Sequence, residues 1–304
     1  MRLKQRGFAG SEDGLLSGPM LSGHMPSSPN PPTVAVLVAA YNADATIRQA
    51  VDSVLGGTLA CDIYVVDDGS ATPVADLLSG DRIEVIRMKC NRGPAVARNV
   101  GLSKILAKDY DYVAIMDADD IAMPERLAKQ AALLDRDPRL GAVGCWTRHF
   151  DERTGETTLL RRRPQDPRAI RNMLFFNVGI SHASAMFRVA ALREVGLYSE
   201  KYPAAEDYEL LRRIATRYEL GNVPEYLLAY RVSTQGQSLR RRRRQLLDRL
   251  KIQLRYFAPT SWRAWAGLAQ TLASLMVPAR LVHALKLKFF RRQIAIPAAR
   301  PSSS

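Results

Sequence analysis

Short apolar runs separated by polar segments recur through the first half of the chain. Three continuous runs lie at residues 34–38, 63–66 and 112–116, and a fourth, interrupted by one glutamate, lies at residues 83–86. Continuous apolar runs of this length are typical of strands that are buried on both faces of a sheet. The pattern therefore predicts four internal strands.

Apolar side chains at helical spacing fill the segments between these runs. The predicted helices span residues 44–55, 94–107 and 124–134. Strands that alternate with helices over about 100 residues predict an α/β fold, with a mostly parallel central sheet and helices on both faces. Ligands bind such sheets at the carboxyl ends of the strands, so the polar residues that follow each strand are the candidates for a site.

Charge is distributed very unevenly along the chain. Of 304 residues, 47% are hydrophobic, which is enough for a sizeable core, and the formal net charge is +14. Residues 33–239 carry 26 basic and 27 acidic side chains, whereas residues 240–304 carry 15 basic side chains and one acidic one. The near-neutral central region disfavours a nucleic-acid-binding protein. The three cysteines form no CxxC pair, which disfavours a disulfide scaffold or a zinc finger.

Three parts of the chain follow from these patterns. Residues 1–32 are rich in Gly, Ser and Pro without apolar periodicity, so we expect a disordered leader there. Residues 33–239 form the predicted α/β domain. Residues 240–304 are predicted to form a basic, amphipathic, helical tail.

The tail has two interpretations. Its cations mixed with Trp, Phe and Leu suit a helix that lies on an anionic bilayer surface. The alternative is a helical extension that packs on the domain and leaves its charges in solvent. The apolar residues at helical spacing are Leu246, Leu250, Leu254 and Phe257.

The first strand ends in Ala40-Tyr41-Asn42. A tyrosine at this position can stack on a nucleobase and the asparagine can donate to it, although an ordinary strand end with a helix cap explains both residues equally well. No GxGxxG motif follows this strand and the chain contains no GxxxxGK[ST] motif. The first absence disfavours a dinucleotide-binding Rossmann domain, and the second disfavours a P-loop NTPase.

The second strand ends in Asp67-Asp68. Two adjacent carboxylates repel each other unless something binds there, and Asp68 is able to accept from the N3–H of uracil or from a ribose hydroxyl. The alternative is a plain turn, because Asp-Gly-Ser is favourable turn chemistry.

The fourth strand ends in Asp117-Ala118-Asp119-Asp120. Three carboxylates within four residues create a negative field that a hard divalent cation with oxygen ligands relieves. As an isolated motif D-x-D is common and also fits an acidic turn. Its position at the end of a strand in an α/β unit favours a Mg²⁺ or Mn²⁺ site.

A further acidic pair, Glu206-Asp207, lies at the start of a predicted helix. Acidic residues there interact favourably with the helix dipole, by about 0.3–1 kcal/mol, which is the simpler explanation. The functional interpretation is a general base beside an acceptor hydroxyl.

Taken together, these stretches resemble the family-2 glycosyltransferases, which are inverting enzymes with the GT-A fold. The resemblance covers about residues 33–238, and the order and spacing of its motifs agree throughout. The matching stretches are VAAYN (38–42), VDDGS (66–70), NRGPAVARN (91–99), MDADD (116–120), AEDYEL (205–210), the segments 181–188 and 195–198, and Tyr230-Arg231.

The resemblance implies a nucleotide-sugar donor site at the strand ends. Tyr41 and Asp68 are implied to contact the nucleotide, a uridine diphosphate in our expectation, with Ala40 and Asn42 beside them. Arg98 is implied to line the same site.

The resemblance also implies a divalent metal, Mn²⁺ or Mg²⁺, at the D-x-D stretch. Asp119 is implied to bind the metal together with Asp117, and Asp117 with its neighbour Ala118 is implied to contact the ribose or the sugar. Arg231 is implied to stabilise the leaving diphosphate.

On the acceptor side, the resemblance implies that Asp207 is the catalytic base and that Glu206 shapes the acceptor site. His182 falls where related enzymes carry a histidine, and a structural role fits it as well as a substrate contact. The expected reaction moves a sugar with inversion onto a hydroxyl of a glycan or lipid-linked acceptor, in cell-envelope or exopolysaccharide synthesis. We expect a cytoplasmic enzyme, peripheral at the inner face of the membrane.

Two departures from the family pattern affect these expectations. Ala39 stands where the family usually has proline, and Tyr230-Arg231 is followed by Val-Ser-Thr rather than by the histidine that often helps to hold the diphosphate or metal. The second departure bears on the C-terminal part of the donor site. It is also the only support for an alternative function, a catalytically silent protein that binds sugar nucleotides or serves as a scaffold.

Overall fold

A computed structural model describes residues 31–232 and 242–277. The expected leader at residues 1–32 therefore lies almost wholly outside the described residues. So do residues 233–241, with part of the arginine run, and residues 278–304 at the end of the predicted tail.

The described residues form one sheet flanked by helices. The strands are β1 (Val34–Ala40), β2 (Asp62–Asp67), β3 (Ile83–Arg87), β4 (Tyr112–Asp117), β5 (Ile121–Ala122), β6 (Leu140–Asp151), β7 (Thr157–Arg161), β8 (Met186–Arg188) and β9 (Glu219–Val232). Their order in the sheet is β3-β2-β1-β4-β8-β6-β9-β5, and β7 pairs with β6 outside this path.

The first half of the sheet confirms the four predicted strands. β1 runs parallel to both β2 and β4, and β2 runs parallel to β3. Beyond β4 the sheet is mixed, because β8 is antiparallel to β4 and β6, whereas β6 and β9 are parallel to each other. The predicted α/β fold is confirmed; the mostly parallel arrangement holds for the first four strands of the chain, and the later strands make the sheet mixed.

The helices cover both faces of this sheet, as predicted. They are α1 (Ile47–Leu55), α2 (Pro94–Leu106), α3 (Arg126–Arg136), α4 (Pro167–Met173), α5 (Val189–Val195), α6 (Glu206–Ile214), α7 (Arg242–Arg255) and α8 (Trp262–Met276). On β1, Val36 belongs to a core cluster with residues of α1 and α3, while Leu37, on the other face, belongs to a cluster with residues of α2 and α6.

Two predicted helix starts are too early. α1 begins at Ile47 rather than at residue 44, and α3 begins at Arg126 rather than at Pro124. The carbonyl of Pro124 accepts a hydrogen bond from the backbone N–H of Thr58, at 2.9 Å. Pro124 therefore lies in the loop between β5 and α3, which contacts the segment that follows α1.

The described part of the tail is an antiparallel pair of helices that packs on the domain. Arg242, at the start of α7, donates to the carbonyls of Ser274 and Val277 at the end of α8. Ile252 of α7 is fully buried in the same core as α2 and α6, and Gln253 donates to the carbonyl of Phe175 at 2.8 Å. The expected helical extension is therefore present, and in the described residues it packs on the domain.

None of the helices within residues 31–232 and 242–277 combines the length and the apolar character that a bilayer span requires.

A substitution at Gly267 tests how closely α8 packs on the domain. A Cβ at this position would overlap the backbone carbonyl of Phe175. We expect Gly267→Ala to lower the free energy of unfolding by about 1–3 kcal/mol, the usual cost of overpacking, in urea unfolding followed by circular dichroism. Ala269→Ser, on the exposed side of the same helix, is the matched control. Equal stability of Gly267→Ala and the control would contradict this packing.

Candidate active site

The loops that follow β1 and β2 are tied to each other. Ala40 accepts a backbone hydrogen bond from Asp68 at 2.8 Å. Asn42 has a positive φ of 50°, donates its backbone N–H to Ser70 Oγ at 3.0 Å, and accepts from Ala71 through its side-chain oxygen. The sequence prediction that these two strand ends form one site is therefore consistent with their contacts.

Tyr41 projects from this edge of the sheet, and its surface is 46% exposed. An aromatic ring in that position is available for stacking on a planar ligand. Ala40 and Ala118 differ from it, because both side chains are buried. Any contact that these two alanines make with a donor has to come from their backbone atoms.

The acidic pair at the end of β2 is satisfied within the protein. Asp67 is fully buried and accepts hydrogen bonds from Ser70, Val74 and Arg87. Asp68 accepts from the backbone N–H groups of Arg92 and Gly93, each at 2.8 Å. The argument that these adjacent carboxylates need a ligand is therefore wrong, because loop amides and one arginine already compensate them. A nucleotide contact by Asp68 stays a prediction.

The D-x-D turn after β4 is held by Arg231 from β9. The Arg231 Nε donates to the backbone carbonyl of Asp119 at 2.7 Å, and its backbone N–H donates to Asp120 Oδ1 at 3.0 Å. Its guanidinium also donates to Gln49 at 2.8 Å and stacks over the ring of Phe150, 5.0 Å from its centroid. Arg231 is thereby fixed beside the three carboxylates.

Burial and mutual repulsion disfavour the ionised carboxylates of this turn. Burial, and then the charge of Asp117, raise the pKa of Asp119 to about 6. The same causes raise the pKa of Asp120 well above its ordinary value. Asp120 Oδ2 is buried and accepts no hydrogen bond from the described residues. A cation beside this turn would stabilise the ionised forms.

The chemistry of this turn fits a hard divalent cation. Its donors are carboxylate oxygens, which Mg²⁺ and Mn²⁺ prefer. Among the residues that the structure describes, no group of three or more His, Cys, Asp or Glu side chains could by itself hold a metal ion. The carboxylates of Asp117 and Asp119 stay the predicted ligands of such a cation.

Arg98 connects this turn to the start of α6. Its guanidinium is buried and donates to Asp117 Oδ1 at 3.0 Å and to Glu206 Oε1 at 3.1 Å. Burial alone would lower the pKa of Arg98, but the nearby carboxylates, Asp117 foremost, outweigh burial and raise it. The predicted donor-side and acceptor-side carboxylates thus share a single buried cation.

The two acidic residues at the start of α6 have different surroundings. Glu206 is buried against Arg98, and burial raises its pKa to about 7 although Arg98 lowers it. Asp207 is partly exposed and accepts one hydrogen bond, from the backbone N–H of Tyr208 at 2.7 Å. Burial also raises the pKa of Asp207. Within the described residues, its second carboxylate oxygen accepts no hydrogen bond and is available to a substrate.

His182 lies close to Arg98. Its Nε2 shares a hydrogen bond with the Tyr198 hydroxyl at 2.8 Å, and burial together with the charge of Arg98 lowers the pKa of His182 well below its usual range. Asn99, next to Arg98 on α2, makes two hydrogen bonds to the backbone of Tyr198, both at 2.9 Å. These contacts favour the structural role of His182.

Sequence reasoning missed Arg126, a buried cation whose charge acts on the D-x-D turn. Its side chain is completely buried and donates to the carbonyls of Ile115 and Ala183 and to Gln130. Its charge also lowers the pKa of Asp120, against the effect of burial. No local sequence signal identifies it, because an arginine at the start of a helix is usually a solvated residue.

Solved structures share this fold. Staphylococcus aureus TarS superposes with a TM-score of 0.60 at 16% identity, over 80% of this chain and 72% of that one. The mannosyltransferase PcManGT from Pyrobaculum calidifontis superposes with a TM-score of 0.57 at 18% identity, over 87% of this chain and 84% of that one. The fold is that of the GT-A glycosyltransferases.

Proteins of similar sequence are also named as glycosyltransferases. A glycosyltransferase of Haemophilus influenzae is 30% identical over 67% of this chain, which spans 66% of that relative's length. The amylovoran biosynthesis glycosyltransferase AmsE of Erwinia amylovora is 29% identical over 68% of this chain and 79% of its own. Residues 35–196 match the model of glycosyl transferase family 2, and the chain belongs to that family.

Removal of the Arg98 charge should destabilise the protein in a pH-dependent way. Arg98→Met leaves Asp117 and Glu206 without their cation, for which we expect a loss of about 3–5 kcal/mol where both are ionised. Because Arg98 lowers the pKa of Glu206, that pKa rises above about 7 in the variant. The folded variant then binds a proton that the unfolded chain releases at lower pH, so its stability keeps falling as pH rises beyond 7.

The measurement is urea unfolding of both proteins well below and well above pH 7. The difference between them should grow with pH. Arg139→Met, which removes an exposed ion pair with Asp137, is the control and should have little effect. A difference that shrinks as pH rises would refute the role given to Arg98.

Proposed function

We propose that this protein transfers a sugar from a nucleoside-diphosphate donor to a hydroxyl of a glycan or lipid-linked acceptor, with inversion at the sugar carbon. The main support is the contact of Arg98 with both Asp117 and Glu206. It connects Asp117, which is expected at the metal and the donor sugar, with Glu206, which is expected at the acceptor. Sugar transfer needs both groups close to C1 of the sugar, where one bond breaks and another forms.

The proposed donor site lies at the ends of β1, β2 and β4. The exposed ring of Tyr41 stacks on the base, Asn42 lies beside it, and Asp68 contacts the base or the ribose. We propose uridine as the nucleoside. TarS in complex with UDP-GlcNAc supports this choice, and PcManGT in complex with GDP-Man makes guanosine the competing candidate.

The proposed metal site consists of Asp119 and Asp117, with Mn²⁺ or Mg²⁺ as the cation. PcManGT in complex with Mn²⁺ supports it, as does the raised pKa of Asp119. A cation bound there offsets the charge of the diphosphate group. Arg231, fixed on the backbone of Asp119, contributes a permanent positive charge to the same phosphates.

Asp207 is the proposed catalytic base, and Glu206 is the residue that shapes the acceptor site. The free carboxylate oxygen of Asp207 takes the proton of the acceptor hydroxyl. The hydroxyl oxygen bonds to C1 of the sugar from the opposite face, while the bond from C1 to the diphosphate oxygen breaks and the nucleoside diphosphate leaves. Glu206 is less suited to the task, because its carboxylate is paired with Arg98. The raised pKa of Asp207 makes it a stronger base than an exposed aspartate.

The proposed biological setting is polysaccharide synthesis. AmsE is named for amylovoran biosynthesis, and ExoU of Rhizobium meliloti, 29% identical over 60% of this chain, is named for succinoglycan biosynthesis. We propose that the protein works on the cytoplasmic side of the membrane, where nucleotide sugars are available.

Substitution of Asp207 tests its role as the base. Asp207→Asn preserves the oxygen that accepts from Tyr208, so the fold and donor binding should persist. Transfer measured by release of the nucleoside diphosphate should fall about 10²–10⁴-fold, the usual contribution of a general base. Glu206→Gln is the matched comparison and should lose less. A greater loss in Glu206→Gln than in Asp207→Asn would exchange the two roles.

Substitution of Asp119 tests the metal site. In a thermal-shift panel of UDP, GDP and dTDP sugars, Mn²⁺ should increase the stabilisation of the protein by the preferred donor. In Asp119→Ala this increase should disappear, because the substituted turn no longer binds the cation. Asp44→Ala, an exposed carboxylate near the same strand ends, is the control and should respond as the unsubstituted protein does. A Mn²⁺ effect that persists in Asp119→Ala would argue against metal binding at this residue.

A further inference from the structure

An apolar stripe runs along the outward side of α8. Its side chains are exposed by 67% at Trp262, 56% at Trp265, 47% at Leu272 and 84% at Met276. With the exposed Ala269, these positions recur every three or four residues and so lie on one side of the helix. Large apolar side chains that stay exposed along four turns mark an interaction surface.

The opposite side of α8 holds the helix on the domain. Ala264, Gly267 and Thr271 are buried there, and Gly267 lies against the backbone of Phe175. The outward stripe is therefore not an unpacked part of the core, because the packing surface of the helix is already in use.

The exposed charges of the α7–α8 helix pair itself are all positive. Residues 242–277 contain seven Arg and Lys side chains and one acidic side chain, Asp248. Asp248 is buried, where it accepts from the backbone of Ala204 at 3.2 Å. On α7 the exposed cations are Arg243, Arg244, Lys251 and Arg255.

We propose that the outward side of α8 docks on an anionic lipid bilayer, with Trp262, Trp265, Leu272 and Met276 inserted at the interface and the cations of α7 beside the headgroups. Tryptophan, leucine and methionine on one side of a helix, with arginine and lysine adjacent, have the chemistry of an interfacial helix. Tryptophan in particular prefers the level of the headgroups.

Charge disfavours the two other occupants of this surface. A second copy of the chain would bring two cationic helix pairs together. The segment that follows residue 277 contains six Arg and Lys side chains and no acidic one, so it carries the same sign as α7. An anionic bilayer is the partner whose charge complements the surface.

The surface is narrower than the tail that the sequence suggested. The expected apolar residues were Leu246, Leu250, Leu254 and Phe257, followed by Trp262 and Trp265. Leu246 is buried, however, and only Leu254 of the first four is strongly exposed. The proposed docking surface is therefore the outward stripe of α8, which contains both tryptophans.

Docking at this surface would orient the acceptor side of the site. Asp248 and Tyr256 on the α7 side bind the segment that carries Glu206 and Asp207, through Ala204 and through Glu209 at 3.1 Å. This consequence rests on the proposed function, and it favours an acceptor that is anchored in the same bilayer over a soluble one.

The test is co-flotation of the full chain with vesicles of phosphatidylcholine, with and without phosphatidylglycerol. The unsubstituted protein should float with the anionic vesicles, and its tryptophan emission should shift to shorter wavelength. The triple variant Trp265→Ser, Leu272→Ser, Met276→Ser should partition at least about tenfold less. Leu160→Ser, an exposed leucine on β7, is the control and should float as the unsubstituted protein does.

Three results would overturn the proposal. The first is failure of the unsubstituted protein to float, and the second is equal flotation of the triple variant. The third is a concentration-dependent dimer in analytical ultracentrifugation that the triple variant abolishes, since a second copy would then cover the stripe. Nucleotide binding in the absence of vesicles is measured on the same proteins, so a failure of the transferase proposal is seen separately from a failure of docking.

Discussion

The buried guanidinium of Arg98 is the interaction on which the arrangement of this site depends. Two carboxylates approach it, Asp117 from the sheet and Glu206 from the first turn of α6, which is far along the chain. Without a cation between them, the two carboxylates would repel each other in a poorly solvated site. The neighbouring Asn99 binds the backbone of Tyr198, whose ring lies against the Arg98 guanidinium.

A second set of buried contacts fixes the conformation of the D-x-D turn, in which a cation would stabilise the ionised carboxylates. Arg231 binds the turn from β9 and the charge of Arg126 acts on it, yet the pKa values of Asp119 and Asp120 remain raised. The protein therefore compensates this turn only in part. A turn fully neutralised by arginines would have no remaining affinity for a metal, whereas one without them would not keep its conformation when empty.

The sequence predicted the half of the fold in which local pattern and tertiary role coincide. The continuous apolar runs of β1, β2 and β4 are buried on both faces, so the local pattern alone identifies these segments as internal strands. The later strands β6 and β9 were not predicted. They are long, register shifts interrupt their pairing, and their burial changes along their length, so no single period describes them.

The same distinction separates the predicted from the unpredicted site residues. Motifs at strand ends, such as those containing Asp68 and Asp117, were visible because a polar residue follows an apolar run. The cations beside these motifs were not visible, since only the fold brings Arg87 to Asp67 and places Arg126 close enough to Asp120 to lower its pKa. The repulsion argument at Asp67-Asp68 was wrong for this reason, because it counted charges without the loop amides that compensate them.

The basic tail shows how a count of charges depends on the fold for its meaning. Arg242 donates to carbonyls at the end of α8 and so joins the two helices, Arg249 donates to the carbonyl of Phe176 in the domain, and Arg243 and Arg244 remain exposed. Each contributes equally to the net charge of +14, yet only the exposed ones act on a partner at a distance. The single acid of this segment is buried, so the surface of the helix pair is more cationic than its composition. The charge of the chain therefore bears on where the protein binds, while the chemistry depends on a near-neutral domain with a few buried ion pairs.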